Sequence, residues 1–235
     1  MRTIVTHPGG SHKDDLLAVC VLAAIHDGPI VRREPTPEAL DDPEVAVVDI
    51  GGVHDPAKWN FDHHHFPREH PPTCALSLVL DHLGLYQDAL RFCDWLETAE
   101  WFDSRGPKKT GEWLGVPRRA ISQLNSPIDM TLLRRFAQTT RLEPSDPLYA
   151  FMKMVGSDLL EFLRVARERL DFELELGDDA GLWDYLTLLD QGSRLALLAH
   201  CLSFGINALH EKVNPYGAGI SASGLTRRMA HADLV

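Results

Sequence analysis

Through the first hundred residues, short runs of β-branched side chains alternate with longer apolar stretches at helical spacing. Arg2-Thr3-Ile4-Val5-Thr6, residues 30–34 and Val45-Ala46-Val47-Val48-Asp49 read as strands. Between the first two, residues 14–26 open on acidic side chains and continue as an apolar helix, and a Pro/Asp-rich loop fills 35–43. This βαβ alternation predicts an α/β fold with a parallel sheet, right-handed crossovers and flanking helices. Cys74 to Leu83 and Tyr86 to Phe102 carry their apolar residues at helical intervals, while Arg105-Gly106-Pro107-Lys108-Lys109-Thr110-Gly111 reads as a loop. From Asp146 to Phe172 an apolar stripe (Leu148, Phe151, Met152, Val155, Leu159, Phe162) opposes charged residues, so its Met and aromatic members are core positions of a long helix. Gly177-Asp178-Asp179-Ala180-Gly181 breaks the pattern. The expected organisation is therefore one domain over 1–177 and a mainly helical module over 182–235.

The strand ends carry the chemistry. His7 follows the first strand, Pro8-Gly9-Gly10-Ser11 turns, and His12-Lys13-Asp14-Asp15 opens the helix; Asp49 ends the third strand, and Asp62-His63-His64-His65 lies just beyond. In open parallel α/β sheets the carboxyl edge is where sites are built. A His run alone is more often a solvated loop, and an Asp after a strand is often a turn former. Here the run is internal, flanked by Trp59, Phe61 and Phe66, and preceded by two further His/Asp clusters. Burying so many imidazoles and carboxylates without cations is costly. Carboxylate and imidazole donors without cysteine suit Mn²⁺, or Mg²⁺, better than a structural zinc.

Three segments, Thr6-His7-Pro8-Gly9-Gly10-Ser11-His12-Lys13-Asp14-Asp15, Val47-Val48-Asp49-Ile50-Gly51-Gly52 and Asn60-Phe61-Asp62-His63-His64, together resemble the melanocyte-proliferating-gene (Myg) family. That family is a branch of the DHH phosphoesterase superfamily, with RecJ-type exonucleases and family II pyrophosphatases. Thr73-Cys74-Ala75-Leu76-Ser77 approximates the family's next segment, and Asp103 is the nearest match to a fourth motif, with Ser104-Arg105 where Asn-Gly is usual. The resemblance runs from residue 1 and thins toward 170. It implies two divalent cations: His7 and His12 on the first, Asp14, His63 and Asp103 on the second, and Asp49 bridging. It further implies that Asp62 orients a ligating imidazole and that His64 acts at the leaving group. Arg105, Lys108 and Lys109, which follow Asp103 directly, are the candidate substrate-binding cations.

The implied activity is a metal-dependent hydrolase cleaving phosphodiester bonds of RNA or short oligonucleotides. Residues 182–235 resemble the helical tail of plasmid-type ParB-like proteins, and the family's substrate domain has no counterpart. The alternative function is therefore a non-catalytic metal-binding scaffold acting through those helices in DNA partition or in self-association, the latter giving a homo-oligomer. Gly217, Gly219, Ser221, Ser223 and Arg227 offer an unspecific phosphate cradle. With 44% apolar residues the 235-residue chain is ordinary for a globular protein. No membrane-spanning run and no leader precede the first strand, so a cytoplasmic location is expected. Cys20, Cys74, Cys93 and Cys201 lack metal or disulfide spacing and read as buried thiols. The net charge of −11 argues against an undirected grip on nucleic acid, although part of that acidity belongs to the proposed ligands.

Overall fold

The computed structural model describes residues 2–122 and 126–175. Strand β1 (Thr3–Thr6), helix α1 (Lys13–Ile25), strand β2 (Ile30–Arg32), helix α2 (Pro37–Asp41) and strand β3 (Val45–Val48) follow one another. Strands β4 (His54–Asp55) and β5 (Asn60–Phe61) come next, then helices α3 (Ala75–His82), α4 (Tyr86–Phe92), α5 (Leu96–Leu114), α6 (Arg118–Ser122) and α7 (Pro127–Ala137). Strand β6 (Arg141–Leu142) precedes the long helix α8 (Pro147–Glu175). Helix α2 occupies the expected loop at 35–43, because Thr36 Oγ1 accepts from Ala39 N–H and Pro37 fits the first helical position.

The six strands lie in the order β4-β5-β3-β1-β2-β6. β1 pairs parallel with β2 and β3, and β3 with β5, as the βαβ pattern requires. The sheet as a whole is mixed and not parallel, because β4 runs antiparallel to β5 and β6 antiparallel to β2. These rim strands have two residues each, and a strand returning through the short Pro56–Lys58 turn needs no crossover helix. Between β2 and β3 the chain passes from one flank of β1 to the other. That reversal opens a crevice at the carboxyl ends of β1 and β3.

Helix α1 is buried nearly all round, from Leu16 through Ala18–Ala23, since it packs on β1, β3, α3, α5 and α7. Helix α8 presses against it so closely that a Cβ at Gly156 would stand 2.0 Å from the Cys20 carbonyl oxygen. Gly156→Ala is expected to cost about 1–3 kcal/mol by forcing the helices apart. Chemical denaturation checks this, and an unchanged midpoint would show that the contact relaxes freely.

The helix expected over Tyr86–Phe102 is two helices, because Cys93 leaves helical dihedrals (φ −118°, ψ 85°) and ends α4. Residues 105–111, expected as a loop, lie inside α5. Gly106 takes φ 74°, ψ 168° and kinks it, and Pro107 then starts a second helical segment where its missing N–H costs little. Ser77 of α3 and Tyr86 of α4 both donate to Glu100 Oε1 of α5, at 2.6 and 2.8 Å, tying the three helices through one buried carboxyl that burial pushes up from its ordinary pKa. Cys20, Cys74 and Cys93 are buried free thiols. Among the described residues, no helix is long and apolar enough to cross a membrane. The 177–181 boundary, the 182–235 module, Cys201 and the Gly217–Arg227 cradle lie outside the described residues.

Candidate metal centre

Sheet register builds the centre. Thr6, Val48 and Phe61 lie side by side on β1, β3 and β5, so the residues after them, His7, Asp49 and Asp62, emerge together at the carboxyl edge. Asp14 and Asp15 reach the same edge from the first turn of α1, and Asp103 comes from α5. Asp49 holds left-handed dihedrals (φ 59°), a conformation that a non-glycine residue adopts at some cost and that Asp tolerates better than most.

One donor atom from each of Asp14, Asp49, His63 and Asp103 falls within 4.8 Å of the others, and Asp49, His63 and His64 form an overlapping set. Asp14 and Asp49 are almost fully buried. His63 Nε2 lies 2.7 Å from Asp103 Oδ2 and 3.2 Å from Asp49 Oδ1. Yet Asp14 Oδ2, Asp49 Oδ1, His63 Nε2 and Asp103 Oδ2 have no aligned hydrogen-bond partner among the described residues. Buried polar atoms are almost always paired. Four orphans aimed at one volume therefore fit a divalent cation, which would satisfy all of them together.

The electrostatics agree. Burial, then the neighbouring carboxylates Asp49, Asp103 and Asp15, push Asp14 well above the usual carboxylate range. Burial also raises Asp49, against the pull of His63. For His63 burial is outweighed by Asp103 and Asp49, which lift it to about 10; for Asp103 it is outweighed by His12 and His63, which hold it below its ordinary value. Carboxylates raised by burial and by one another, beside imidazoles raised by those carboxylates, form a cluster whose charges a divalent cation would balance.

The cleft side is arranged differently. A cleft of about 340 Å³ is lined by His7, His12, Asp49, Ile50, Gly51, Asp62 and His64. His7 and His12 have ring centroids 6.2 Å apart. His7 Nε2 stands 3.5 Å from Asp49 Oδ2, and the exposed His12 ring stands 3.7 Å from Asp103 Oδ1, which raises His12 to about 9. Both expected ligands of the first cation thus reach the cleft, with Asp49 between the two sides. Asp62 accepts from the backbone N–H groups of Gly52 (2.5 Å) and His64 (3.1 Å), and from His64 Nδ1–H at 2.7 Å. Burial opposes, but His64 and these donors win and bring Asp62 down to about 2. The imidazole that Asp62 orients is therefore His64 and not a member of the buried quartet.

The candidate substrate cations sit elsewhere. The Arg105 guanidinium donates to the His70 carbonyl, and Lys109 and Lys108 approach Glu112 of their own helix at 3.0 and 4.0 Å. None of the three lines the cleft. With Ser104, whose Oγ accepts from Thr73 N–H at 2.9 Å, Arg105 straps residues 70–73 onto α5 beside Asp103. The Ser104-Arg105 pair thus has a packing role.

Sequence reading passed over Asp15 and Arg32. Asp15 is fully buried and fully engaged: it accepts from His12 N–H (2.6 Å) and Ser11 Oγ (3.0 Å) and faces His7 Nε2 (3.2 Å). Its neighbour Asp14 keeps an orphaned oxygen, which separates the two adjacent aspartates by task. The only advance signal was the doubled Asp itself.

Residues 3–75 match the family model MYG1_exonuc, described as Uncharacterised protein family (UPF0160). The matched stretch contains His7, His12, Asp14, Asp49, Asp62, His63 and His64, and ends before Asp103, whose place in the centre rests on geometry. No curated protein and no solved structure matches the chain.

Proposed function

We propose that this protein is a dinuclear-metal phosphodiesterase that hydrolyses RNA or short oligonucleotides. The observation that carries the reading is the convergence of four orphaned, buried donor atoms at the sheet's switch point. The match of residues 3–75 to a family model named for an exonuclease supports it. Asp14, Asp49, His63 and Asp103 would hold one cation, and His7 and His12 with Asp49 the other. Bound there, Mn²⁺ or Mg²⁺ would supply charge neutralisation for the phosphate oxygens and an acidified water.

The chain's own part is to position and to move a proton. Asp49 presents one carboxylate to both sides of the centre. His64 lies in the cleft with Nδ1–H given to Asp62, and that carboxylate raises its pKa, which favours the protonated ring that would serve the departing oxygen. The exposed face of His64 is where substrate meets the centre.

The deciding experiment offers Mn²⁺-loaded protein bis-nitrophenyl phosphate, short RNA and short DNA. Turnover that a chelator abolishes and Mn²⁺ restores is expected, and its absence on every substrate, with cations bound, would overturn the reading. His64→Ala should keep both cations and lose about 10²–10⁴-fold in kcat. Asp62→Ala should lower kcat through His64 while leaving the affinity of the quartet within a few-fold. If His64→Ala remains as fast as the parent, the proton donor is another group.

A further inference from the structure

Arg32 ends β2 beside Thr6 and is only 3% exposed, a buried guanidinium one strand away from the centre. Nη1 donates to the carbonyls of Gly9 (3.1 Å) and Phe136 (3.0 Å), Nη2 donates to that of Gly10 (3.0 Å), and Nη2 stands 3.8 Å from Asp15 Oδ2. The guanidinium also covers the Phe136 ring at 4.5 Å, which anchors it to the end of α7. Asp15 braces the same segment from the other side, holding Ser11 and the His12 N–H and facing His7 Nε2. The ring's other nitrogen, Nδ1, donates to the Pro8 carbonyl at 3.0 Å.

We propose that Asp15 and Arg32 form a positioning pair that cross-braces residues 7–12, fixes the His7 ring and thereby sets the cleft-side cation site. The inference rests on the dinuclear reading above. Two facts separate this role from general packing. The pair's hydrogen bonds and ion contacts fall on His7, Gly9, Gly10, Ser11, His12 and Phe136, the side of the centre where His7 and His12 lie, and none of them is made to a donor atom of the quartet of Asp14, Asp49, His63 and Asp103. Each member also supplies what the other lacks: a buried carboxylate without Arg32 is an uncompensated charge, and a buried guanidinium without Asp15 is another.

The test uses Asp15→Asn, Arg32→Met and the double variant, with side-chain ¹⁵N chemical shifts of His7 in metal-free protein and calorimetric titration with Mn²⁺ as readouts. Each single variant should shift the His7 ¹⁵N signals and weaken the cleft-side cation about 10–100-fold, as losses of groups that orient ligands do. The quartet's affinity should stay within a few-fold of the parent. A role confined to packing would instead lower both affinities together. In the double variant the uncompensated charge is gone, so thermal stability should recover above that of Arg32→Met while the cleft-side affinity stays low. If Arg32→Met fails to fold, Asp15→Asn, which preserves volume, still decides through the same readouts. Parent-like His7 signals and parent-like affinity at both sites in Asp15→Asn would overturn the proposal. Should the parent itself take up only one cation, the dinuclear function falls, and the metal-free ¹⁵N signals alone decide whether the pair holds His7.

Discussion

Asp49→Asn should abolish cation uptake at both sides of the centre, lower hydrolysis by about 10³-fold, and make the metal-free protein melt at a higher temperature than the parent. The first two effects follow from position: Asp49 Oδ1 belongs to the quartet, and its other oxygen is 3.5 Å from His7 Nε2. Removing one preorganised electrostatic group commonly costs 10²–10³-fold in rate, and in the proposed dinuclear centre this one would serve two cations. The third effect has the opposite sign to most buried substitutions. Without cations the Asp49 carboxylate crowds Asp14 and Asp103, and burial already drives its pKa upward. A neutral amide of the same shape removes that repulsion, and Asn accepts the left-handed dihedrals that Asp49 holds. Metal analysis, steady-state kinetics and thermal melts on one preparation check all three. A variant that still binds two ions per chain would show that Asp49 is not shared.

The second large effect is a reversal of pH dependence on loading with metal. In the metal-free protein His63 and His12 are held near pKa values of 10 and 9, against an ordinary 6.5. A raised folded-state value means that the folded state binds the extra protons. The stability they contribute is full below pH 6.5 and is lost as pH rises through 9 to 10. Asp14 and Asp49, also raised, act in the same direction at lower pH. Asp62, lowered to about 2, opposes them only in the acid range below the ordinary carboxylate value. Metal-free protein should therefore melt higher at pH 6 than at pH 9. Cations reverse this, because protons compete for the same nitrogen and oxygen atoms. At a hundred-fold excess over Kd each site adds about 2.7 kcal/mol, so two sites raise the melting temperature by roughly 10–20 °C at pH 9 and by much less at pH 6. Melting curves at both pH values, with and without Mg²⁺, test this, and an equal gain at the two would sink it.

Much of this arrangement is legible in the sequence where local and global preferences coincide. Thr3–Thr6 and Val45–Val48 are β-branched runs that could hardly lie elsewhere than in the sheet interior, and the apolar stretch behind Asp14-Asp15 could only be a central helix. The residues that gather at the carboxyl edge were visible because each follows such a run. Other features depend on three-dimensional context. Gly106-Pro107 looks like a loop signal, and only packing of both halves of α5 lets the helix resume after one reversed residue. The antiparallel rim strands are two residues long and carry no period to detect. Arg32 carried no signal beyond its place in the strand read over 30–34. Its burial against three carbonyl groups is fixed by Gly9, Gly10 and Phe136, which are distant in sequence and meet only in the fold.

The route by which Asp103 joins the quartet has a consequence for divergence within such chains. Every other group at the centre is delivered by the first 64 positions, through strand ends and one helix start that sheet register holds in place. Asp103 arrives alone, from one turn of α5 that Ser104 and Arg105 strap to residues 70–73. Beyond that turn the described chain adds no donor to the quartet, yet it still supports the centre: the Phe136 carbonyl and ring hold Arg32, and α8 packs on α1 at Gly156, so a change in either segment reaches the chemistry only through packing.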